Sequence, residues 1–323
     1  MNPVRSEHTR ENNTLIRSGS SLLDASNGVN KKLLLGLILL VIALSATASL
    51  TWLESADSPK AYALKYLIKE GDKEVIIYKL EANANVGVPS IPKHPAIPLY
   101  SKLQQEIEQK IVKITDGQIT RLERNYRSSK YYISKSSQNA KTEPLDGKKI
   151  VIESDGTITP VGQGPASQIT DSIKAFISID EHRFALILPQ EEIQTKSEWE
   201  VPSESVPRIF NFSNHKRRTI SHGCTEVGIN ARFSSGALKC LLKEVKSDSA
   251  VIELNGTLKG EDNGMNIEVT LKGTAVFAIK KGRFTKVELT GDITLDGNQP
   301  CTKGSAQGQA TGNGKITLSY ELK

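Results

Sequence analysis

The most regular part of the chain is a series of segments between Thr225 and Leu322 in which every second residue is apolar. The residues between them are almost all Lys, Glu, Asp, Thr or Asn. A period of two gives each strand of a half-buried sheet one apolar face. Turn-forming residues, the first at 234–236, separate the segments, so the pattern predicts six antiparallel strands in a meander. The alternating segments are 227–233, 238–242, 252–258, 267–279, 285–295 and 316–322.

The length of one segment predicts the shape of the sheet. Residues 266–279 would form a strand about 45 Å long if it were straight, at about 3.3 Å per residue. Few single domains are that wide, so we expect the sheet to curl strongly. Glycine within the apolar face of a strand marks a bend or a close backbone approach. We therefore expect bends at Gly256, Gly273 and Gly291.

A second alternating region precedes the meander. Residues 61–69 and 74–86 alternate around a turn at 70–72, which predicts a β-hairpin. Prolines then follow at intervals of three, and each removes a backbone donor and fixes φ. The segment is therefore predicted to be polyproline-like, either as an extended connection inside the protein or as a docking ligand. Its prolines are Pro89, Pro92, Pro95 and Pro98.

The next segment has a different period. Four apolar residues recur at every fourth position, which predicts a turn or two of helix. The Asp-Gly pair at 116–117 then predicts a hairpin that ends near residue 126. Another hairpin is predicted for residues 148–153 and 157–161, around a second Asp-Gly pair. The four spaced residues are Leu99, Leu103, Ile107 and Ile111.

One amphipathic helix is predicted at residues 167–177, with Ile169, Ile173, Phe176 and Ile177 on one side. A sheet with one apolar face must cover that face, and this helix lies just before the meander in the chain. The predicted fold is mainly β: a strongly curled antiparallel meander, a half-barrel or open barrel, with one covering helix. We divide it into a hairpin region, residues 61–161, and a helix-plus-meander region, residues 162–323.

Residues 33–53, from Leu33 to Leu53, carry no charged side chain. As a helix this stretch would be about 31 Å long, enough to cross a bilayer. It is either a signal peptide, with small residues at 46–48 for cleavage, or a retained transmembrane anchor; a buried core helix is a third interpretation. Lys31 and Lys32 predict a cytoplasmic N-terminus, in which residues 1–32 are disordered. The rest is then extracytoplasmic, periplasmic or secreted, and anchored if the stretch is uncleaved.

The charge of the chain changes this picture little. The formal net charge is +6 and the pI is about 9.0, but lysines and acids are interspersed after residue 55. The one dense basic cluster is residues 215–218, and only 5% of residues are aromatic. Aromatic side chains are what nucleic-acid modules use to stack bases. The sequence therefore predicts a solvated loop here and no nucleic-acid partner.

The residues that carry chemistry are sparse. Three cysteines are too few for a disulfide scaffold. In the predicted hairpin Cys224 and Cys240 lie six ladder positions apart, beyond disulfide reach, so Cys240 is predicted to be a buried free thiol. A disulfide between Cys224 and Cys301 is the alternative that the sequence leaves open. His215, His222 and Cys224 have no evident fourth ligand, so we predict no metal site, no cofactor and no catalytic residue.

Several short motifs follow one another along the chain in a definite order. They are a hairpin at 62–86, a second at 111–126, Leu188-Pro189 followed by Trp199, GTAVF at 273–277 and GRF at 282–284. This order resembles a loose group of uncharacterised secreted bacterial β-rich proteins, which implies an extracytoplasmic location and no known chemistry. More distantly, the chain is similar to periplasmic lipoprotein carriers. That resemblance implies a curled antiparallel sheet, covered by helices, that holds acyl chains.

Three functional hypotheses follow. The first is a non-enzymatic envelope protein whose curled sheet is a scaffold for binding or interaction, with an envelope protein or an apolar small molecule as partner. The second is a carrier of an apolar ligand such as a lipid or acyl chain. The third is a hydrolase with an unrecognised site. The membrane is a partner through residues 33–53 if these are uncleaved. For the carrier, the predicted ligand-lining residues are Ile267, Val269, Leu271, Phe277, Val287, Leu289 and Ile293, with Phe176 of the covering helix.

Overall fold

The computed structural model describes residues 60–87, 96–132, 141–142, 145–162, 183–210, 232–262, 265–300 and 307–323. All of them belong to the compact unit Pro59–Lys323. Among the described helices, none is both long and apolar enough to cross a membrane. Several sequence predictions lie outside the described residues. They concern residues 1–53, the prolines at 89, 92 and 95, the helix at 167–177 with Phe176, the basic cluster at 215–218, and Cys224 and Cys301.

Strands account for most of the described residues. The N-terminal strands are β1 (Ala61–Tyr62), β2 (Lys73–Gly87), β3 (Ile97–Thr115), β4 (Gln118–Tyr132), β5 (Lys141–Thr142), β6 (Lys149–Glu153) and β7 (Ile158–Val161). A connecting region follows, with a 3-10 helix (Arg183–Ile187), β8 (Ile193–Gln194), β9 (Glu198–Val201) and helix α1 (Val206–Phe210). The C-terminal strands are β10 (Arg232–Lys246), β11 (Ser249–Asp262), β12 (Met265–Ala278), β13 (Arg283–Pro300) and β14 (Gln307–Leu322).

One antiparallel sheet of twelve strands organises the described residues. Its order is β7-β6-β4-β3-β2-β14-β13-β12-β11-β10-β9, and β5 pairs with β4. The sheet is open, with β7 and β9 at its edges, whereas β1 and β8 form a separate two-stranded sheet. Each set of strands is a meander of sequence neighbours, and the pairing of β2 with β14 joins the two sets. The prediction of a mainly β, antiparallel and unclosed fold is therefore confirmed.

Alternation along the strands divides the sheet into an inner and an outer face. In β12 the side chains of Met265, Ile267, Val269 and Leu271 are buried, and those between them are exposed. The outer face carries Lys and Glu residues that pair across strands, such as Lys259 with Glu268. The inner face holds the hydrophobic core of both sets of strands. The period of two therefore identified the core face correctly.

The prediction of helical turns from Leu99 is wrong, because β3 is a single strand of 19 residues. Leu99, Leu103, Ile107 and Ile111 are buried on its inner face. A repeat of four is also a multiple of two, so it keeps residues on one face of a strand. The positions halfway between these four residues obscure the strand pattern in the sequence, because they hold polar residues that also point inward. Two of these, Gln105 and Gln109, are buried.

Three other boundaries differ from the predictions. The turn predicted at residues 234–236 is absent, because β10 runs through it with an irregularity between Phe233 and Ser235. Much of the stretch between the last two predicted segments, residues 297–314, is also strand, since β13 extends to Pro300 and β14 begins at Gln307. Residues 61–69 form only the short strand β1, which pairs with β8 and not with β2. In the first two cases the predictions gave too much weight to small and polar residues. A strand that pairs with a neighbour over a long distance can contain such residues without interruption.

Inner-face glycines let neighbouring strands approach closely among β10–β13. A Cβ added at Gly256 would collide with the carbonyl oxygen of Ala237, and one at Gly273 with that of Glu288. In both cases the obstacle is backbone, which cannot move aside without deforming the sheet. A close approach of another backbone is one of the features that glycine within a strand marks. Two of the three positions predicted to bend therefore have a structural reason to be glycine.

We predict that Gly273→Ala lowers the free energy of unfolding by about 1–3 kcal/mol or more, the usual cost of over-packing. Urea unfolding followed by circular dichroism measures this. Gly87→Ala is the matched control, because its Cβ would lie 3.9 Å from the Cβ of Ala96, an ordinary contact. The control also corrects for the lower entropy of the unfolded chain when alanine replaces glycine. Equal stability of the two variants would contradict the prediction.

A buried ionic cluster links the start of β13 to β2 and β3. The Nε of Arg283 donates to Glu74 Oε1 at 2.8 Å, and its Nη2 donates to Asp72 Oδ2 at 2.6 Å. Gln109 Nε2 donates to the second oxygen of Glu74 at 2.6 Å. The guanidinium also lies 4.9 Å from the ring centroid of Tyr66. We call these five residues the Arg283 cluster; the side chains of Arg283 and Glu74 are each 8% exposed.

We predict that Arg283→Ala destabilises the protein by about 3–5 kcal/mol, because it leaves Glu74 charged and buried without its cation. Lys239→Ala is the control, since Lys239 pairs with Glu200 at 3.3 Å but both side chains are about 70% exposed. Exposed pairs contribute little, so the control should unfold at the wild-type urea midpoint. If both variants shift the midpoint equally, the cluster does not carry the stability assigned to it.

Candidate functional site: an apolar cavity on the inner face

An apolar cavity lies on the inner face among the C-terminal strands. Its volume is about 30 Å³, it is partly open, and no polar surface lines it. Eight side chains form the lining: Phe210, Phe233, Leu258, Val269, Leu271, Leu289, Ile316 and Leu318. A polar group placed there would lose its hydrogen bonds to water and gain none. Burial of a polar group without a hydrogen bond costs about 2–7 kcal/mol. The cavity can therefore accept an apolar group only.

Strand register explains why these side chains meet. Leu258 on β11 is directly opposite Val269 on β12, and Leu289 on β13 is opposite Leu318 on β14. Opposite residues in an antiparallel pair point to the same face, with Cβ atoms about 4.5–5.5 Å apart. Phe233 on β10 and Phe210 on α1 complete the lining. Helix α1 reaches the cavity because it packs against β10.

Three of the predicted ligand-lining residues, Val269, Leu271 and Leu289, line the cavity. Phe176 lies outside the described residues. The other four predicted residues are buried in the same core but are not among the lining side chains: Ile267, Phe277, Val287 and Ile293. Whether any of these residues contacts a ligand remains a prediction.

Five lining residues were not predicted. Phe233, Leu258, Ile316 and Leu318 belong to the alternating pattern, so they could have been included with the others. Phe210 could not, because it lies in an irregular stretch of sequence and reaches the sheet through α1, a helix of only five residues. Periodicity needs more than one helical turn before it can indicate which side of a helix is buried.

The connecting region covers another part of the inner face. The Phe184 ring, in the 3-10 helix, lies edge-on to Tyr320 at 5.1 Å and to Phe284 at 6.3 Å between centroids. The Trp199 indole donates to the carbonyl oxygen of Ile187 at 2.7 Å, which ties this helix to β9. The apolar cavity therefore lies beside a covered region of core.

The N-terminal strands give the inner face a different character. Among the residues that the structure describes, six buried side chains are polar or charged: Glu74, Gln105, Gln109, Arg124, Ser129 and Arg283. Five of them lie on β2, β3 and β4, and Arg283 reaches them from β13. Gln105 Nε2 donates to Ser129 Oγ at 2.9 Å, and Gln109 joins the Arg283 cluster. The inner face is therefore polar in places on the N-terminal strands and apolar around the cavity.

Arg124 has the largest fully buried side chain in the described part of the chain, with 1% of its surface exposed. Burial lowers the pKa of its guanidinium, a hydrogen bond to Tyr126 opposes that shift, and the positive charge of Arg183 adds to it. Arg124 lies directly opposite Gln109 in the pairing of β3 and β4. Nothing in the sequence indicated an inward-facing arginine, since charged residues alternate with apolar ones throughout these strands.

Metal and thiol chemistry find no support in the described part of the chain. It contains no group of three or more His, Cys, Asp or Glu side chains placed to hold a metal ion. Cys240 is a buried free thiol, as predicted. Burial raises its pKa to about 12. The thiolate is the reactive form of cysteine, so Cys240 behaves as a packing residue at neutral pH.

Comparison with models of known protein families gives no match, and neither does comparison with curated proteins. Among solved structures, the fold is similar to part of lipovitellin, with 12% identity and a TM-score of 0.36. That match covers 80% of this chain but only 25% of the lipovitellin chain. OmpT, an outer membrane protein of Vibrio cholerae, matches at 10% identity and a TM-score of 0.21, with 79% of this chain and 100% of OmpT covered. An outer membrane channel from Pseudomonas putida F1 matches at 8% identity and a TM-score of 0.18, with 80% and 98% covered.

We predict that stability falls at alkaline pH because three tyrosines keep their protons in the folded state; Tyr78 and Tyr320 are buried and Tyr66 is partly buried. Burial is the main cause that raises the pKa of Tyr66, Tyr78 and Tyr320 above 10, the ordinary value. Below pH 10 both states are protonated, and this stability is fully present. Above pH 10 the unfolded state loses protons first, so the free energy of unfolding falls by up to about 1.4 kcal/mol per pH unit for each tyrosine.

Urea unfolding between pH 8 and 12 tests this, and phenolate absorbance shows when the tyrosines ionise. Tyr78→Phe should give a shallower decline above pH 10, because one fewer group releases a proton on unfolding. The chain contains eight tyrosines. Ionisation of all eight while circular dichroism still shows the native sheet would contradict the prediction.

Proposed function

We propose that the protein is an extracytoplasmic binding scaffold whose inner sheet face receives the apolar end of a ligand such as a lipid or acyl chain. The observation that supports this is the cavity, which is partly open and lined by apolar side chains only. Small-molecule sites are concave and predominantly apolar. A scaffold that used only its outer face would gain nothing from such a cavity.

The volume of the cavity favours a scaffold over a carrier that encloses its cargo. At about 30 Å³ it is much smaller than the cavity of about 150 Å³ that holds benzene in an engineered protein. A whole acyl chain does not fit, but its terminal carbons do. The protein would then hold a ligand by its end, while the remainder stays outside the cavity. This is our reason for preferring the scaffold to the carrier.

The proposed location rests on the sequence. Residues 33–53 lack charge and follow a pair of lysines, which supports a location of the folded part outside the cytoplasm. If the stretch is retained, the sheet is tethered to the membrane close to its first described residue, Lys60. A tethered scaffold would meet lipids at the membrane surface, which suits a site for the end of an acyl chain.

Photolabelling tests this function in the full-length protein. We predict that a long-chain fatty acid with a diazirine at the end of its tail labels the protein, held in phosphatidylcholine nanodiscs, at the cavity. Mass spectrometry should locate the label in peptides that contain Val269, Leu271, Leu289 or Leu318. An excess of the unlabelled acid should abolish it. An acid with a terminal hydroxyl should compete poorly, because a hydroxyl in this cavity has no hydrogen-bond partner.

Two results would count against the proposal. One is label confined to residues 33–53, which would report only membrane contact. The other is equal competition by the hydroxyl-ended acid, which would mean that the label does not depend on an apolar cavity.

A further inference from the structure

Gly291 lies at the cavity although it has no side chain to line it. On β13 it is directly opposite Leu271 of β12 on one side and Ile316 of β14 on the other. Both of these residues line the cavity. The sequence marks Gly291 only as a position where the sheet is expected to bend.

The surroundings of Gly291 differ from those of the other inner-face glycines. A Cβ there would lie 2.8 Å from Leu271 Cδ2, 2.9 Å from Val269 Cγ1 and 3.0 Å from Ile316 Cγ2. All three atoms are the ends of side chains that line the cavity, and none is backbone. At Gly256 and Gly273 the first obstacle is a carbonyl oxygen. The sheet therefore needs glycine at 256 and 273, whereas at 291 the lining side chains themselves pack over the bare backbone.

The backbone offers no other reason for glycine at this position. Gly291 does not have a positive φ, unlike the turn glycines Gly71, Gly117 and Gly282. An alanine would therefore adopt its backbone conformation without strain. Its methyl group would push three lining side chains, and these would have to move within a cavity of about 30 Å³. Packed interiors respond to a change of a single methylene.

We propose that Gly291 is a specificity-determining residue of the cavity: it lets Val269, Leu271 and Ile316 pack over the bare backbone, and the narrow space that they leave admits only an unbranched alkyl end. The inference rests on the proposed function and names its ligand class. An aromatic ring needs a cavity several times larger, whereas the end of a linear chain is narrow. A methyl group at position 291 would push these three side chains into that narrow space. One methylene in an apolar pocket changes affinity by about 10–200-fold.

Three variants of the full-length protein test the inference with the diazirine-ended fatty acid in phosphatidylcholine nanodiscs. Gly291→Ala should reduce labelling of the cavity peptides by about tenfold or more. Gly87→Ala should label like wild type, since its Cβ would meet only Ala96, at 3.9 Å. Leu271→Ala should widen the cavity. Circular dichroism and the melting temperature establish that each variant is folded.

Competition measures the size limit. In wild type, an unbranched acid should compete with the label, and an acid of equal length that ends in a phenyl ring should not. In Leu271→Ala the phenyl-ended acid should compete as well. If Leu271→Ala does not fold, the more conservative Leu271→Val gives the same comparison.

The outcomes separate this inference from the proposed function. Absence of label from the cavity peptides of wild type would overturn the proposed function and the size limit with it. Labelling of wild type and of folded Gly291→Ala to the same extent would overturn the size limit alone. Equal competition by the phenyl-ended acid in wild type would do the same, because the cavity would then accept a ring.

Discussion

The pairing of β2 with β14 is the constraint on which the sheet depends. These strands pair over twelve positions, from Ile76 opposite Leu322 to Gly87 opposite Thr311. Without the pairing of β2 with β14, both meanders would expose a long edge strand, which favours association with other chains. Arg283 and Glu74 form a hydrogen-bonded ion pair near one end of this strand pairing, although they are 209 positions apart in the chain. Separating them would leave buried charges unpaired, which is strongly destabilising.

The inner face shows how the same period of two serves two purposes. On β3, the polar side chains of Gln105 and Gln109 point inward and form hydrogen bonds to Ser129 and Glu74. Burial of such groups is tolerable only because they bond to one another. Around the cavity the inward side chains are apolar and have no directional partners. Apolar contacts are non-directional, so an apolar ligand atom would make the same kind of contact there as a protein neighbour does.

The sequence was sufficient to predict the class of fold and the face that is buried. Strict alternation from residue 252 onward corresponds to β11–β14. At Gly256 and Gly273, where the sheet was expected to bend, an added Cβ would collide with the backbone of a neighbouring strand. The prediction failed where polar residues face inward, as at Gln105, and where small residues do not interrupt a strand, as at Gly236 within β10. Both failures have one cause: a neighbouring strand supplies hydrogen bonds and close contacts that local propensity does not contain. The join between β2 and β14 was likewise unpredictable, since no local pattern encodes it.

Lining residues and core residues have the same chemistry, which is why the sequence could not separate Leu271 from Ile267. Both are buried and both alternate with exposed residues on β12. What distinguishes them is the neighbour on the next strand: Leu271 is opposite Gly291, and Ile267 is opposite Leu295. An isoleucine opposite a leucine fills the space between strands with two side chains, whereas opposite a glycine other atoms take the place of the missing one. At Gly273 these atoms belong to the backbone, and at Gly291 they belong to side chains that line the cavity. The cavity is therefore a property of strand register, and it becomes visible only when residues far apart in the chain are placed side by side.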